Sequence, residues 1–170
     1  MLFSIWVDAD SCPTNVRELL VRFVVRLKIP CNFVANRQIP LPQTNLITMI
    51  ITENSEGSAD DYIVSHVEPN DLVVTRDIPL AARLIEKKIT TINDRGKVFS
   101  AESIREDLSI RNFNYQLFTM GIQSDKTSKF NKKNLNDFAN CLDRELQKKN
   151  KTINQFEASL GLNFVPIAKY

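Results

Sequence analysis

Apolar residues come in short runs along this chain, and the runs alternate with stretches whose apolar positions keep a helical spacing. Residues 3–7 form a β-rich apolar run that stops at two acids. Residues 14–28 then carry Val16, Leu19, Leu20, Phe23, Val24 and Leu27 at the spacing of one helix face. Cys31–Ala35 and residues 46–51 read as two further buried strands, separated by a loop holding Pro40 and Pro42. Ser58 opens a helix through Val67, residues 72–75 are a strand, and residues 78–87 are a helix with Pro79 in its first turn. Residues 89–92 close the series as a strand, followed by the turn Asn93-Asp94-Arg95-Gly96. Alternation of this kind predicts an α/β fold, a mainly parallel central sheet of about five strands flanked by helices.

Past residue 100 the pattern becomes helical only. Residues 102–120 read as a helix, although 109–114 are weak for one, and residues 131–149 read as another with the stripe Leu135, Phe138, Leu142 and Leu146. These extra C-terminal helices are expected to cover the sheet, with residues 121–129 as a polar, mobile connection. One domain over residues 1–149 is the expected organisation. Residues 150–170 form a C-terminal extension with a modest helical pattern and no assignment.

Composition narrows the class without naming a chemistry. A chain of 170 residues with 43% hydrophobic content can fill one core, and a formal charge of +2 gives no general attraction to a polyanion. The charge is uneven, because residues 121–170 carry nine Lys/Arg against five Asp/Glu whereas the rest is slightly acidic. Cys12, Cys31 and Cys141 lack paired spacing, and His66 is the only histidine, so neither a zinc site nor a disulfide framework is indicated. Reduced thiols point to the cytoplasm. Asp8 and Asp10 interrupt the apolar N-terminus, and nothing approaches the run of about 20 apolar residues that a membrane span needs, so no membrane association is expected.

Parallel α/β sheets place ligand sites beyond the carboxyl ends of their strands, and here those positions are mostly aspartates. Asp8 and Asp10 stand two apart, which in an extended segment puts both side chains on one face. Asp77 ends a strand run, with Thr75 two residues earlier. Converging carboxylates repel one another, and a hard divalent cation taking oxygen ligands, Mg²⁺ or Mn²⁺, is the simplest way to keep them ionised. Some of these acids also have local roles available. Ser58-Ala59-Asp60-Asp61 has the form of a capping box, Asp77 can cap the helix containing Pro79, and Asp94 suits a turn. Helical neighbours diverge, so only one of Asp60 and Asp61 can easily face a given ion, and the choice stays open with a slight preference for Asp60. His66, near a helix C-terminus, and Cys12, with no histidine partner, are read as structural.

Seven segments, in order, resemble the motifs of the YaiI/YqxD family. They are Trp6-Val7-Asp8-Ala9-Asp10-Ser11-Cys12-Pro13, Val34-Ala35-Asn36, Ser58-Ala59-Asp60-Asp61, Val74-Thr75-Arg76-Asp77-Ile78-Pro79-Leu80-Ala81, Asn93-Asp94-Arg95-Gly96, Ile104-Arg105-Glu106-Asp107-Leu108 and Phe138-Ala139-Asn140-Cys141-Leu142-Asp143. The resemblance spans about residues 3 to 149. It implies a bacterial protein with a PIN-like, Rossmann-like fold, a fold that includes many metal-dependent ribonucleases. The positions matching the acids of those nucleases are Asp8, Asp60 and Asp77, with Thr75 beside the last, while Asp10 matches an acid typical of the family itself. Two departures stand out: Asp94 occupies a place where the family usually has Pro, and Arg111-Asn112-Phe113 replaces an Arg-Asp-Phe pattern.

Three functions follow from these residues. The first is a divalent-metal-dependent nuclease acting on phosphodiesters, RNA preferred by analogy, with Asp8, Asp10 and Asp77 as ligands and Asp60 or Asp61 as a further ligand or base. Thr75 or Ser11 would orient water. Arg76, Arg95 and Ser11 are candidate phosphate contacts, and Lys126, Lys129, Lys132 and Lys133 could meet more distant phosphates. The second, ranked well below, is a haloacid-dehalogenase-like phosphatase, which also opens on Asp-x-Asp but needs a late acidic pair that Asp60-Asp61 comes too early to supply. The third is a non-catalytic module binding RNA or protein. Oligomeric state is not legible.

Overall fold

The computed structural model describes residues 3–122 and 129–159, the side chains of 156–158 excepted. The strands are β1 (Ile5–Asp8), β2 (Cys31–Ala35), β3 (Ile47–Ile51), β4 (Leu72–Val74) and β5 (Thr90–Ile92). The helices are α1 (Thr14–Leu27), α2 (Ser58–His66), α3 (Ile78–Glu86), α4 (Ala101–Thr119) and α5 (Lys132–Ser159). All four strand pairings are parallel, and the five strands lie in the order β3-β2-β1-β4-β5. The α/β expectation holds, and the strand count with it.

Both faces of the sheet are covered, which is why its strands read as near-continuous apolar runs. Ile5, Val7 and Phe33 pack with Val16, Leu20 and Val24 of α1 and with Phe138, Leu142 and Leu146 of α5. Trp6, Val34 and Val73 point the opposite way, onto Ile63 of α2 and Leu80 and Leu84 of α3. The order of strands explains this division. From β1 the chain moves outward through α1 to β2 and β3, then returns through α2 to the far side of β1 and continues through α3 to β5. Crossovers of one hand therefore put α1 on one face and α2 and α3 on the other. The direction reverses between β1 and β4, and the carboxyl ends of those two strands define the switch point at which parallel α/β sheets bind ligands.

Opposite that edge, Asp71 is a structural acid. It accepts hydrogen bonds from the backbone N–H and hydroxyl of Ser4 (2.7 and 3.0 Å), from the Trp6 indole (2.8 Å) and from the Glu68 N–H (2.9 Å). That network fastens the start of β1 to the approach to β4.

Several expectations are corrected. α4 does not cover the sheet: its one buried residue, Ile104, packs with Ala81 and Phe99 against α3, and its second half is exposed. The stripe of α5 packs as expected, but the helix runs on to Ser159 because Ile153 still reaches the core. α2 lacks the expected capping box. Gly57, at φ 78°, is its N-cap residue, while the Ser58 hydroxyl donates to the Glu53 carbonyl instead. Residues 123–128, including Lys126, and 160–170 lie outside the described residues. Among those described, no helix is long and apolar enough to cross a membrane.

Candidate functional site

At the switch point lies an open cleft of about 410 Å³, walled by Asp8, Asp10, Glu56, Asp60 and Asp77, with no Lys or Arg in its lining. Asp8, the last residue of β1, is buried, and its Oδ2 accepts hydrogen bonds from the Thr75 hydroxyl at 2.7 Å and the Ser11 hydroxyl at 2.6 Å. Both hydroxyl bonds fall on the same oxygen. Thr75 also accepts the Asp77 N–H at 2.9 Å, and Ser11 accepts the Arg76 N–H at 3.3 Å. Two hydroxyls thus fasten the ends of β1 and β4 together around one carboxylate. Their protons are donated to Asp8, which makes both residues holders of that acid.

Asp10 reaches the cleft by a route different from the expected one. β1 stops at Asp8, so residues 9–11 form a turn and the shared-face argument for an extended segment does not apply. Arg17 fixes the turn by donating to the carbonyls of Cys12 (2.6 Å) and Ala9 (3.2 Å). Asp10 Oδ2 then accepts the Asn36 N–H beyond β2 at 2.7 Å, and Arg37 stands 3.9 Å from Oδ1. Asp77 does double service: its Oδ1 caps α3 through the Leu80 N–H at 2.8 Å, while the residue also lines the cleft.

Of the competing pair on α2, Asp60 faces the cleft, whereas Asp61 turns outward to Arg83 at 2.7 Å. No hydrogen bond reaches the Asp60 carboxylate among the described residues. Burial, with the charges of Asp77 and Asp8 added, pushes its pKa up to about 6 despite the opposing pull of Arg83. Burial also raises the Asp8 pKa, the bonds from Ser11 and Thr75 working against it. Cys12, beneath the turn, is pushed up to about 12 by burial, so its thiol is not an activated nucleophile.

Glu56 and Arg17 escaped the sequence reading. Glu56 comes from the loop between β3 and α2, where no periodicity marks a residue as facing a site. Arg17 sits on a helix face with ordinary amphipathic spacing, and only the fold shows it reaching back to the turn. Arg76 and Arg95 line a separate, neighbouring cavity, and Lys129, Lys132 and Lys133 are not part of the cleft.

Among the described residues, no three His, Cys, Asp or Glu side chains stand close enough together to cage a metal ion. The cleft is an acidic wall with some of its oxygens held by the protein, unlike a closed structural zinc site. Its donors are oxygens only, and Asp8 and Asp77 each keep one carboxylate oxygen free of the hydrogen bonds described above. That set fits a hard ion such as Mg²⁺, which keeps several waters and needs one or two carboxylates beside substrate phosphates.

The fold and the cleft together define a parallel α/β protein with an all-acidic site at its topological switch point. The chain belongs to the YaiI/YqxD family, whose model, described as "Uncharacterized BCR, YaiI/YqxD family", matches residues 6–148. Similar curated proteins carry the name UPF0178 protein. That of Treponema denticola is 46% identical over 144 residues, covering 85% of this chain and 92% of its own. That of Treponema pallidum is 44% identical over 158 residues, covering 93% and 89%, and that of Psychromonas ingrahamii is 44% identical over 149 residues, covering 88% and 99%. No solved structure matches the chain.

Proposed function

We propose that the acidic cleft hydrolyses phosphodiesters with the help of Mg²⁺ or Mn²⁺, and that its substrate is RNA. The observation that carries this reading is the cleft itself, five carboxylates and no cation at the switch point of the sheet. Such a wall repels a phosphate unless a cation comes between them. Because no three of these acids converge closely among the described residues, one or two of Asp8, Asp10, Asp60 and Asp77 would hold that cation directly and the others through water. When bound, it supplies Lewis-acid polarisation of a phosphoryl oxygen and neutralises charge developing there.

The chain's own side chains divide the remaining work. Ser11 and Thr75 hold Asp8 by one oxygen and present the other. Asp77, anchored as a helix cap, keeps its place while the cleft fills. Asp60, whose carboxylate faces the cleft with no hydrogen bond to it among the described residues, would serve as a further ligand or as the base that takes a proton from water. RNA is favoured by the resemblance to PIN-like nucleases.

One observation favours a second reading, a non-catalytic binding module: Asp8, Asp10 and Asp77 all have hydrogen-bond partners inside the protein. Incubating the protein with labelled RNA, labelled DNA and a phosphomonoester, each with Mn²⁺, Mg²⁺ or chelator, separates the two. The expected result is metal-dependent RNA cleavage that Asp8→Asn abolishes. Absence of cleavage under every condition would favour the module.

A further inference from the structure

The acidic cleft ends at Asp77, and the residue just before it in the chain serves a different space. Arg76, Arg95 and Lys97 line a cavity of about 160 Å³ together with Asp94 and Asp107, beside Ile78 and Phe99. Three of the residues that line it are cations and two are carboxylates. The neighbouring cleft has the opposite character, and the boundary between them runs between two consecutive residues.

Asp94 is 2% exposed, and its Oδ2 lies 3.4 Å from Arg76 Nε with no hydrogen bond made to it. A saturated pair would instead be bidentate at about 2.8 Å. Asp94 therefore holds the guanidinium by charge from the Nε side, and the Arg76 side chain donates no hydrogen bond among the described residues. Half-exposed, it keeps its terminal amino groups for another acceptor. Lys97 is held by two hydrogen bonds to Asp107, at 2.7 and 2.5 Å. The turn presenting Arg95 and Lys97 is fixed too, because Asn93 Oδ1 accepts their backbone N–H groups at 3.0 and 2.9 Å.

We propose that this cavity binds a backbone phosphate of an RNA strand, the neighbour of the phosphate that the acidic cleft addresses. The inference rests on the phosphodiesterase reading above. Arg76 lines this cavity and the next residue, Asp77, lines the acidic cleft, so the two spaces adjoin where β4 ends. The arrangement supplies a strand with a grip beside a cleft that would otherwise repel it.

The test is fluorescence anisotropy of a labelled single-stranded RNA decamer in chelator at several salt concentrations, so that binding is read without metal or cleavage. Arg76→Gln and Lys97→Gln are each expected to weaken binding about five- to tenfold and to reduce the salt slope by about one. Asp8→Asn should bind at least as well as wild type, because it removes a repelling charge. Unchanged affinity and slope in both cation variants, or inorganic phosphate competing as strongly as unlabelled RNA at equal concentration, would overturn the proposal. Cation-sensitive binding without any Mn²⁺-dependent cleavage would sink the hydrolytic reading alone. Cleavage with binding indifferent to Arg76 and Lys97 would sink this one alone.

Discussion

Asp60 is the carboxylate whose charge the fold tolerates least openly, and its pH dependence has a definite sign. Its pKa rises from 3.8 to about 6 on folding. Below about pH 4 both folded and unfolded states hold the proton; between 4 and 6 only the folded state does, and stability falls as pH rises; above 6 the penalty is complete. Asp60→Asn should therefore match wild type near pH 4 in chelator and exceed it at pH 7.5 by about 1 kcal/mol, solvent screening at a half-buried group allowed for. Urea denaturation at the two pH values measures the difference. Thr75→Val should act in the opposite direction, since it removes one of the two hydroxyls bonded to the buried Asp8 Oδ2 and takes the acceptor from the half-buried Asp77 N–H. A loss of about 1–3 kcal/mol at pH 7.5 is expected from the same measurement. Asp8, Asp77 and Thr75 were legible because they follow apolar runs. The reasons they meet were not, because Ser11 and Thr75 bond to the same oxygen only once β1 and β4 are adjacent, although 67 residues separate Asp8 from Thr75.

At the scale of elements, the turn after β5 shows how far local signals reach. Asn93-Asp94-Arg95-Gly96 announces a turn by its residue types, and Gly96 takes φ 82° as such a turn requires. What the residue types do not announce is that a Cβ at Gly96 would lie 2.4 Å from the Asp137 carbonyl oxygen of α5. Gly96→Ala combines a left-handed backbone with a clash against helix backbone that cannot swing away, and should destabilise by about 2 kcal/mol or more in chemical denaturation. Because the turn presents Arg95 and Lys97, the same variant should also weaken RNA binding in chelator. Helix and strand identities were readable from period alone, as with the apolar stripe of α5. The path of α4 was not, since a long helix with one buried residue gives its periodicity little to report.

For the whole molecule, the strand order concentrates chemistry at one edge. Reversal of direction between β1 and β4 opens a cleft there, and five acids from three separate stretches of chain line it, while a cavity with three cations sits at the ends of β4 and β5. The acids at the other edge, by contrast, are illustrated by Asp71, whose carboxylate is filled with internal hydrogen bonds. That contrast supports the cation proposed for the cleft. The most direct measurement is the thermal midpoint at pH 7.5 with rising Mn²⁺, for wild type and for Asp8→Asn combined with Asp60→Asn. Wild type should gain about 5–10 °C once Mn²⁺ stands a hundredfold above its Kd, and the double variant should gain nothing. A wild-type midpoint indifferent to Mn²⁺, or an equal rise in both proteins, would contradict the assignment.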